Sequence, residues 1–279
     1  MEFTSSSGQE RYDAFVAVAS TSIVGLDFDG TLAPIVDDPA EARIHPEAAE
    51  VLVELAEVVC AIAVITGRPA RQALALGELD TVGNALGDSG KELYLFGQYG
   101  NERWSSTSRR IVSPRPPRGL ATYLGALPKL LRQLDAADAF VEEKGLAVAV
   151  HTRRLPDPSG AFDRLLPELE KLAEKTGLVV EPGRQVIEAR AGGTDKGEVV
   201  RNLTEKLPVG GFLFAGDDLG DVEAFDAVAE LREQGLPTFL VCSGSEEQRA
   251  LAGRADLVVD GPDGILAFLR QLISDAQSR

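Results

Sequence analysis

Positive charge is scarce in this 279-residue chain: 28 Lys and Arg stand against 44 Asp and Glu, a formal net charge of −16. That balance argues against a general nucleic-acid or anionic-membrane surface, and any anionic ligand needs a local cationic site. Long apolar runs are missing too. The longest, 58–65, is far short of the roughly 20 residues that cross a bilayer, and the opening MEFTSSSGQERYDAF lacks the basic-then-apolar order of a secretory signal. A cytoplasmic protein with no membrane partner is expected. Cysteine is nearly absent, and Cys60 and Cys242 each sit in an apolar β-like run, where buried, reduced thiols are expected. There is no internal repeat of solenoid or propeller period. What remains is an ordinary globular composition, 44% apolar and 26% charged, which excludes disordered, collagen-like and coiled-coil readings.

Short runs rich in Val, Ile and Phe end in Gly, Asp or Thr and alternate with segments of helical period. Strands are expected at 22–28, 59–65, 93–97, 211–215, 237–242 and 257–260, and helices at 46–58, 195–206, 221–234, 246–253 and 265–276. Parallel strands joined by crossover helices give an α/β, doubly wound, Rossmann-like core. After Trp104 the stretch SSTSRRIVSPRPPRG reads as a boundary. Beyond it come strand-like 139–141 and 146–151, a helix near 162–176, and a hairpin of 178–181 with 185–189 across EPGR, an inserted α+β unit. The expected domains are therefore a discontinuous core, 1–104 and 191–279, and an insert, 105–190.

The segment SIVGLDFDGTLAPI places Asp27 and Asp29 at the carboxyl end of the first strand, where open α/β sheets build ligand crevices. Alternation points both the same way. GFLFAGDDLGDVEAF sets Asp217, Asp218 and Asp221 at the end of another buried strand. If the two strands are neighbours, five carboxylates share one space, which is tolerable only with protons or a bound cation. A hard divalent ion such as Mg²⁺ suits oxygen donors. The competing reading for Asp217, Asp218 and Asp221 is that they cap the following helix. In VITGRP, Thr66 and Gly67 close a strand where a hydroxyl and an N–H could hold a phosphate oxygen, and in GGTDKGEVV Lys196 sits in the first turn of a helix, placed for an anion rather than for the helix dipole.

These four pieces, in this order, resemble the haloacid dehalogenase (HAD)-type phosphatases. The resemblance implies that Asp27 attacks phosphorus to form an aspartyl-phosphate and that Asp29 protonates the leaving oxygen and then activates water. It implies that Thr66 and Lys196 bind the transferring phosphoryl group, and that Asp27, the backbone carbonyl of Asp29 and Asp217 hold Mg²⁺ with Asp218 and Asp221 in support. About 130 residues separate Thr66 from Lys196, more than one crossover needs, so in this superfamily the insert would be the substrate-selecting cap.

DFDGTLAPI, ITGRP, GQYGNERW, EEKGLAVAVHTRR, VIEAR with DKG, and GDDLGDVEAF together are similar to the trehalose-6-phosphate phosphatases over nearly the whole chain. This implies hydrolysis of trehalose 6-phosphate. It also implies sugar or phosphate contacts from Glu102, Lys144, His151, Arg153 and Glu188, with Arg68 at the site margin. Alternation is expected to put His151 and Arg153 on one face. Two positions depart from the family: Gly220 stands where Thr is common, leaving open which of Asp218 and Asp221 attends the metal, and Tyr99 stands where His is usual. The partner expected is a small sugar phosphate and the chain is expected as a monomer. The alternatives are the same chemistry on sucrose phosphate or mannosyl phosphoglycerate, a receiver-like phosphorylatable switch, and a DxD glycosyltransferase. A receiver is much shorter, and a DxD transferase places a nucleotide-binding strand and helix ahead of the motif.

Overall fold

A computed structural model describes residues 3–36, 38–87, 89–183, 185–244 and 249–279. The strands are β1 (Ser22–Leu26), β2 (Ala61–Ile65), β3 (Glu92–Gly97), β4 (Glu102–Ser105), β5 (Phe140–Glu143), β6 (Ala147–His151), β7 (Val179–Gly183), β8 (Val186–Arg190), β9 (Gly211–Gly216), β10 (Thr238–Gly244) and β11 (Leu257–Asp260). The chain divides into two compact units, Met1–Ser113 with Asp195–Arg279, and Pro114–Thr194.

The first unit holds a seven-stranded sheet in the order β11-β10-β9-β1-β2-β3-β4. Its pairings are parallel except β3 with β4. The chain runs outward from β1 through β2 and β3, then returns to place β9 on β1's other side. That reversal opens a crevice at the carboxyl ends of β1 and β9. Successive residues of each central strand feed opposite apolar layers. Val24, Leu26, Ile62, Val64 and Leu213 pack towards one set of helices, and Ile23, Ala63, Ile65, Phe212 and Phe214 towards the other. Burial on both faces is why these strands read as unbroken apolar runs. Gly25 is required in β1, because a Cβ there would lie 2.9 Å from the Phe214 ring.

Several sequence expectations need correction. Strand β1 stops at Leu26, so Asp27 and Asp29 lie in the loop beyond it. A helix at Ser6–Ala17 precedes β1, burying Tyr12, Phe15 and Val16 against Phe239 and Phe268. Helices Ala70–Leu76, Leu79–Leu86 and Leu120–Gln133 were also absent from the expected pattern. Of the helix expected at 246–253, Arg249–Ala252 is described, and 246–248 lie outside the described residues, as does Arg184 of the EPGR turn. Cys242 is a buried free thiol, whereas Cys60 is only partly buried, because it precedes β2 rather than lying within it. Among the described residues no helix is long and apolar enough to cross a membrane.

The second unit is an antiparallel sheet in the order β5-β6-β8-β7. Val148, Val150, Ile187 and Ala189 pack against helices Leu120–Gln133 and Pro158–Thr176. On the opposite face, register places Glu142, Ala149, Glu188 and Glu181 in one row across the four strands.

Candidate active site

The parallel pairing of β1 with β9 brings the residues that follow the two strands together. The Asp27 N–H donates to the Ala215 carbonyl at 2.9 Å, extending the ladder one step beyond β1. The chain then folds back tightly, with Leu32 and Ala33 both donating to the Phe28 carbonyl. Gly30 turns with φ +76°, and a Cβ there would lie 2.1 Å from Asp217 Oδ2, so a glycine is needed on two counts. Ser243, at the end of β10, donates its hydroxyl to the Gly30 carbonyl at 2.6 Å and pins this loop from the far side.

Oxygens of Asp27, Asp217 and Asp221 lie within 4.8 Å of one another, all three buried. Lys196 opens the helix Lys196–Lys206, whose N-cap, Asp195, accepts from the Glu198 N–H. Its ammonium sits between two of the carboxylates, 2.6 Å from Asp27 Oδ1 and 2.7 Å from Asp221 Oδ1. The second oxygen of Asp221 accepts from the N–H groups of Asp217 and Asp218. Asp218 caps the short turn Leu219–Asp221 through the Gly220 N–H. The capping reading of the acidic segment thus describes both Asp218 and Asp221, which cap the turn reciprocally, and Asp221 is in addition fully buried on Lys196.

One ammonium does not balance this many carboxylates. Burial, followed by repulsion from Asp27, Asp218 and Asp221, pushes the Asp217 carboxyl up to about 10. Burial raises Asp27 as well. Lys196 stays protonated, because Asp221 and Asp27 outweigh the burial that opposes its charge. A buried group of hard oxygen donors with excess negative charge fits a divalent cation such as Mg²⁺.

Asp29 faces elsewhere. Arg68 grips it with Nε on Oδ2 at 2.7 Å and Nη2 on Oδ1 at 2.6 Å, while Nη1 reaches the Pro39 carbonyl and the guanidinium lies over the Phe28 ring. Thr66 is buried at the end of β2, its hydroxyl oxygen accepting from the Arg68 N–H at 3.1 Å. Glu102 directs one oxygen to the Ala70 N–H at 2.6 Å, capping the helix that follows the Thr66 loop.

In the second unit, Lys144 binds Glu188 Oε2 at 2.5 Å, and the other oxygen, Glu188 Oε1, is buried with no hydrogen-bond partner. His151 meets Glu142 at 2.9 Å. Strand β6 ends at His151, so its alternation does not extend to Arg153, which lies half-buried in the following turn. Sequence reasoning did not single out Arg190, which pairs with Glu181 and holds the Thr194 carbonyl at 2.7 Å, or Ser243. Arg190 stands beside Glu188 in VIEAR and was legible as a charge in a strand. Nothing local marks Ser243.

The Trehalose-phosphatase family model matches residues 25–258. A protein of Mycobacterium tuberculosis named as an uncharacterized glycosyl hydrolase is 35% identical over 265 residues, 91% of this chain and 18% of that protein. The trehalose-phosphate phosphatases of Mycobacterium leprae and Mycobacterium tuberculosis are 30% and 31% identical, covering 91% of this chain and 58% and 62% of theirs. The chain thus spans from about a fifth to about three fifths of the length of these relatives. Among solved structures, the C-terminal domain of the Candida albicans trehalose-6-phosphate phosphatase superposes with a TM-score of 0.76 at 20% identity, covering 98% of each chain. A haloacid dehalogenase-like hydrolase of Bacteroides thetaiotaomicron gives 0.64 at 13% identity, covering 91% of this chain and all of its own. These two likenesses show the fold.

Proposed function

Because this chain belongs to the trehalose-phosphatase family, we propose that it hydrolyses trehalose 6-phosphate to trehalose and inorganic phosphate through a phosphorylated Asp27. The observation that carries this reading is the buried bridge from Asp27 through Lys196 to Asp221, beside Asp217, at the reversal point of the sheet. Lys196 orients one Asp27 oxygen and leaves the other to attack phosphorus in line with the departing sugar oxygen. As the bond from phosphorus to that oxygen breaks, Asp29 supplies its proton. Asp29 then takes a proton from the water that attacks the aspartyl-phosphate, releasing phosphate and restoring Asp27. Each Asp29 oxygen accepts one hydrogen bond from Arg68 and keeps a second lone pair for the proton, so the guanidinium would hold the carboxyl in place through both transfers.

Thr66 and Lys196 would hold the phosphoryl oxygens as charge redistributes. Asp27, Asp217 and the backbone carbonyl of Asp29 would hold Mg²⁺. The ion would supply charge that neutralises the phosphoryl oxygens and the surrounding carboxylates. Asp221, with both oxygens committed to Lys196 and to backbone N–H groups, would act by holding the lysine, and Asp218 by fixing the turn.

The unit Pro114–Thr194 serves in this reading as the cap that selects the sugar. The buried, unpartnered Glu188 Oε1 is the acceptor a sugar hydroxyl would satisfy, with Lys144, His151 and Arg153 nearby in sequence and strand order for further polar contacts. Phosphate release from a panel of sugar phosphates, with Mg²⁺ and with chelator, tests the proposal. Mg²⁺-dependent release from trehalose 6-phosphate in preference to sucrose phosphate and mannosyl phosphoglycerate is expected. Preference for another sugar phosphate overturns the substrate, and release from none overturns the chemistry.

A further inference from the structure

Among the described residues, only one stretch places consecutive residues in the left-handed region: Gln98 (φ 47°), Tyr99 (φ 58°) and Gly100 (φ 96°). Residues with a Cβ are disfavoured there, and such strain persists only where the surroundings hold it. Those surroundings are the loop after β2. The Gln98 N–H donates to the Arg68 carbonyl at 2.8 Å and the Tyr99 N–H to the Thr66 carbonyl at 3.0 Å, so the turn fastens both sides of Gly67. The ring covers the middle: a Cβ on Gly67 would meet Tyr99 Cζ and the phenol oxygen, each at 2.8 Å. The helix that begins at Lys196 packs on the same turn. The turn that carries Tyr99 therefore adjoins both the loop carrying Thr66 and the helix that begins at Lys196.

We propose that Tyr99 is a positioning residue for phosphoryl transfer, its ring seated on Gly67 and holding the Thr66 hydroxyl where the transferring group must meet it. The proposal rests on the phosphatase reading above. It assigns the work to the side chain whose ring and phenol oxygen both lie over Gly67, and it explains why a strained, bulky residue occupies a position that glycine would adopt without cost.

A double-mutant cycle tests it, using the unaltered chain, Tyr99→Phe, Tyr99→Ala, Gly67→Ala and the Tyr99→Ala/Gly67→Ala pair. For each, kcat, KM and the melting temperature with and without inorganic phosphate are measured. Tyr99→Ala is expected to lower kcat about tenfold or more with KM changed less than about threefold, as loss of reactive geometry should, and Tyr99→Phe, which keeps Cζ over Gly67 but not the phenol oxygen, to lower it less. Gly67→Ala should cost far less once the ring is gone, because its Cβ then enters vacated space. Tyr99→Phe as damaging as Tyr99→Ala, equal Gly67→Ala effects in both backgrounds, or a fall in melting temperature with kcat intact would each overturn the proposal. If the unaltered chain releases no phosphate from any sugar phosphate, the phosphatase reading fails on its own. The cycle is then read from the melting shift given by inorganic phosphate, where coupling between the two sites supports the clamp and additivity overturns it.

Discussion

Withdrawing divalent cations should make the protein lose stability as the pH rises, and the size of the loss follows from Asp217. Its carboxyl is pushed up to about 10, first by burial and then by Asp27, Asp218 and Asp221, from an ordinary value of 3.8. Between those values the cation-free folded protein keeps a proton that the unfolded chain gives up. Stability therefore falls with rising pH, by about 1.4 kcal/mol per unit for one retained proton. From about pH 5 to about pH 8 the loss reaches about 4 kcal/mol, an upper figure because water entry and local relaxation relieve part of the burial. At about 2–4 °C per kcal/mol, the melting temperature should drop on the order of 10 °C over that range. Mg²⁺ displaces the proton, so its stabilising effect should be small at the acid end and large at the alkaline end. Thermal melting in chelator and in excess Mg²⁺ across the range reads this directly, and Asp217→Asn should make the chelator curve shallower. A Mg²⁺ effect that does not grow with pH, or a slope unchanged in Asp217→Asn, would refute the reasoning.

Other substitutions separate the roles of the remaining groups. Lys196→Met leaves Asp27 and Asp221 buried without their counter-charge; steady-state kinetics should show kcat lower by about 10²–10³-fold, and melting a clear loss of stability. Arg68→Lys cannot reproduce the two-pronged hold on Asp29, so kcat should fall about tenfold or more while KM stays within about threefold, whereas a residue that only bound substrate would raise KM. Glu188→Gln weakens both the Lys144 pair and the acceptor left for a sugar hydroxyl, and saturation kinetics should show KM raised about tenfold, the worth of one charge-assisted hydrogen bond.

The central strands were legible because β1, β2, β9 and β10 are buried on both faces and must be written in apolar residues. The helix Ser6–Ala17 was missed although Tyr12, Phe15 and Val16 recur at helical spacing, because the Ser, Gln, Glu and Arg around them make the segment read as polar. Leu120–Gln133 was hidden by the proline stretch before it and by Pro128 within it. At the site, Asp27, Asp217 and Lys196 could be placed from sequence because each adjoins a strand end or a helix start, positions that local pattern fixes. The partners of their neighbours could not. The Arg68 grip on Asp29, the Glu102 cap on Ala70 and the bond between Ser243 and Gly30, 213 residues apart, depend on which loops the sheet order brings face to face. Glu102 and Arg68, expected at the sugar phosphate, therefore have structural engagements that spacing alone does not reveal.

The claim on which the account turns is that phosphorus passes through the Asp27 carboxylate. The direct measurement is an acid quench of the Mg²⁺-loaded protein during turnover of trehalose 6-phosphate labelled in its phosphate, followed by mapping of the label, with Asp27→Asn run alongside. The account predicts a hydroxylamine-labile phosphoryl group on the peptide containing Asp27, and neither label nor phosphate release in Asp27→Asn. Phosphate release that persists at the unaltered rate in Asp27→Asn would contradict it.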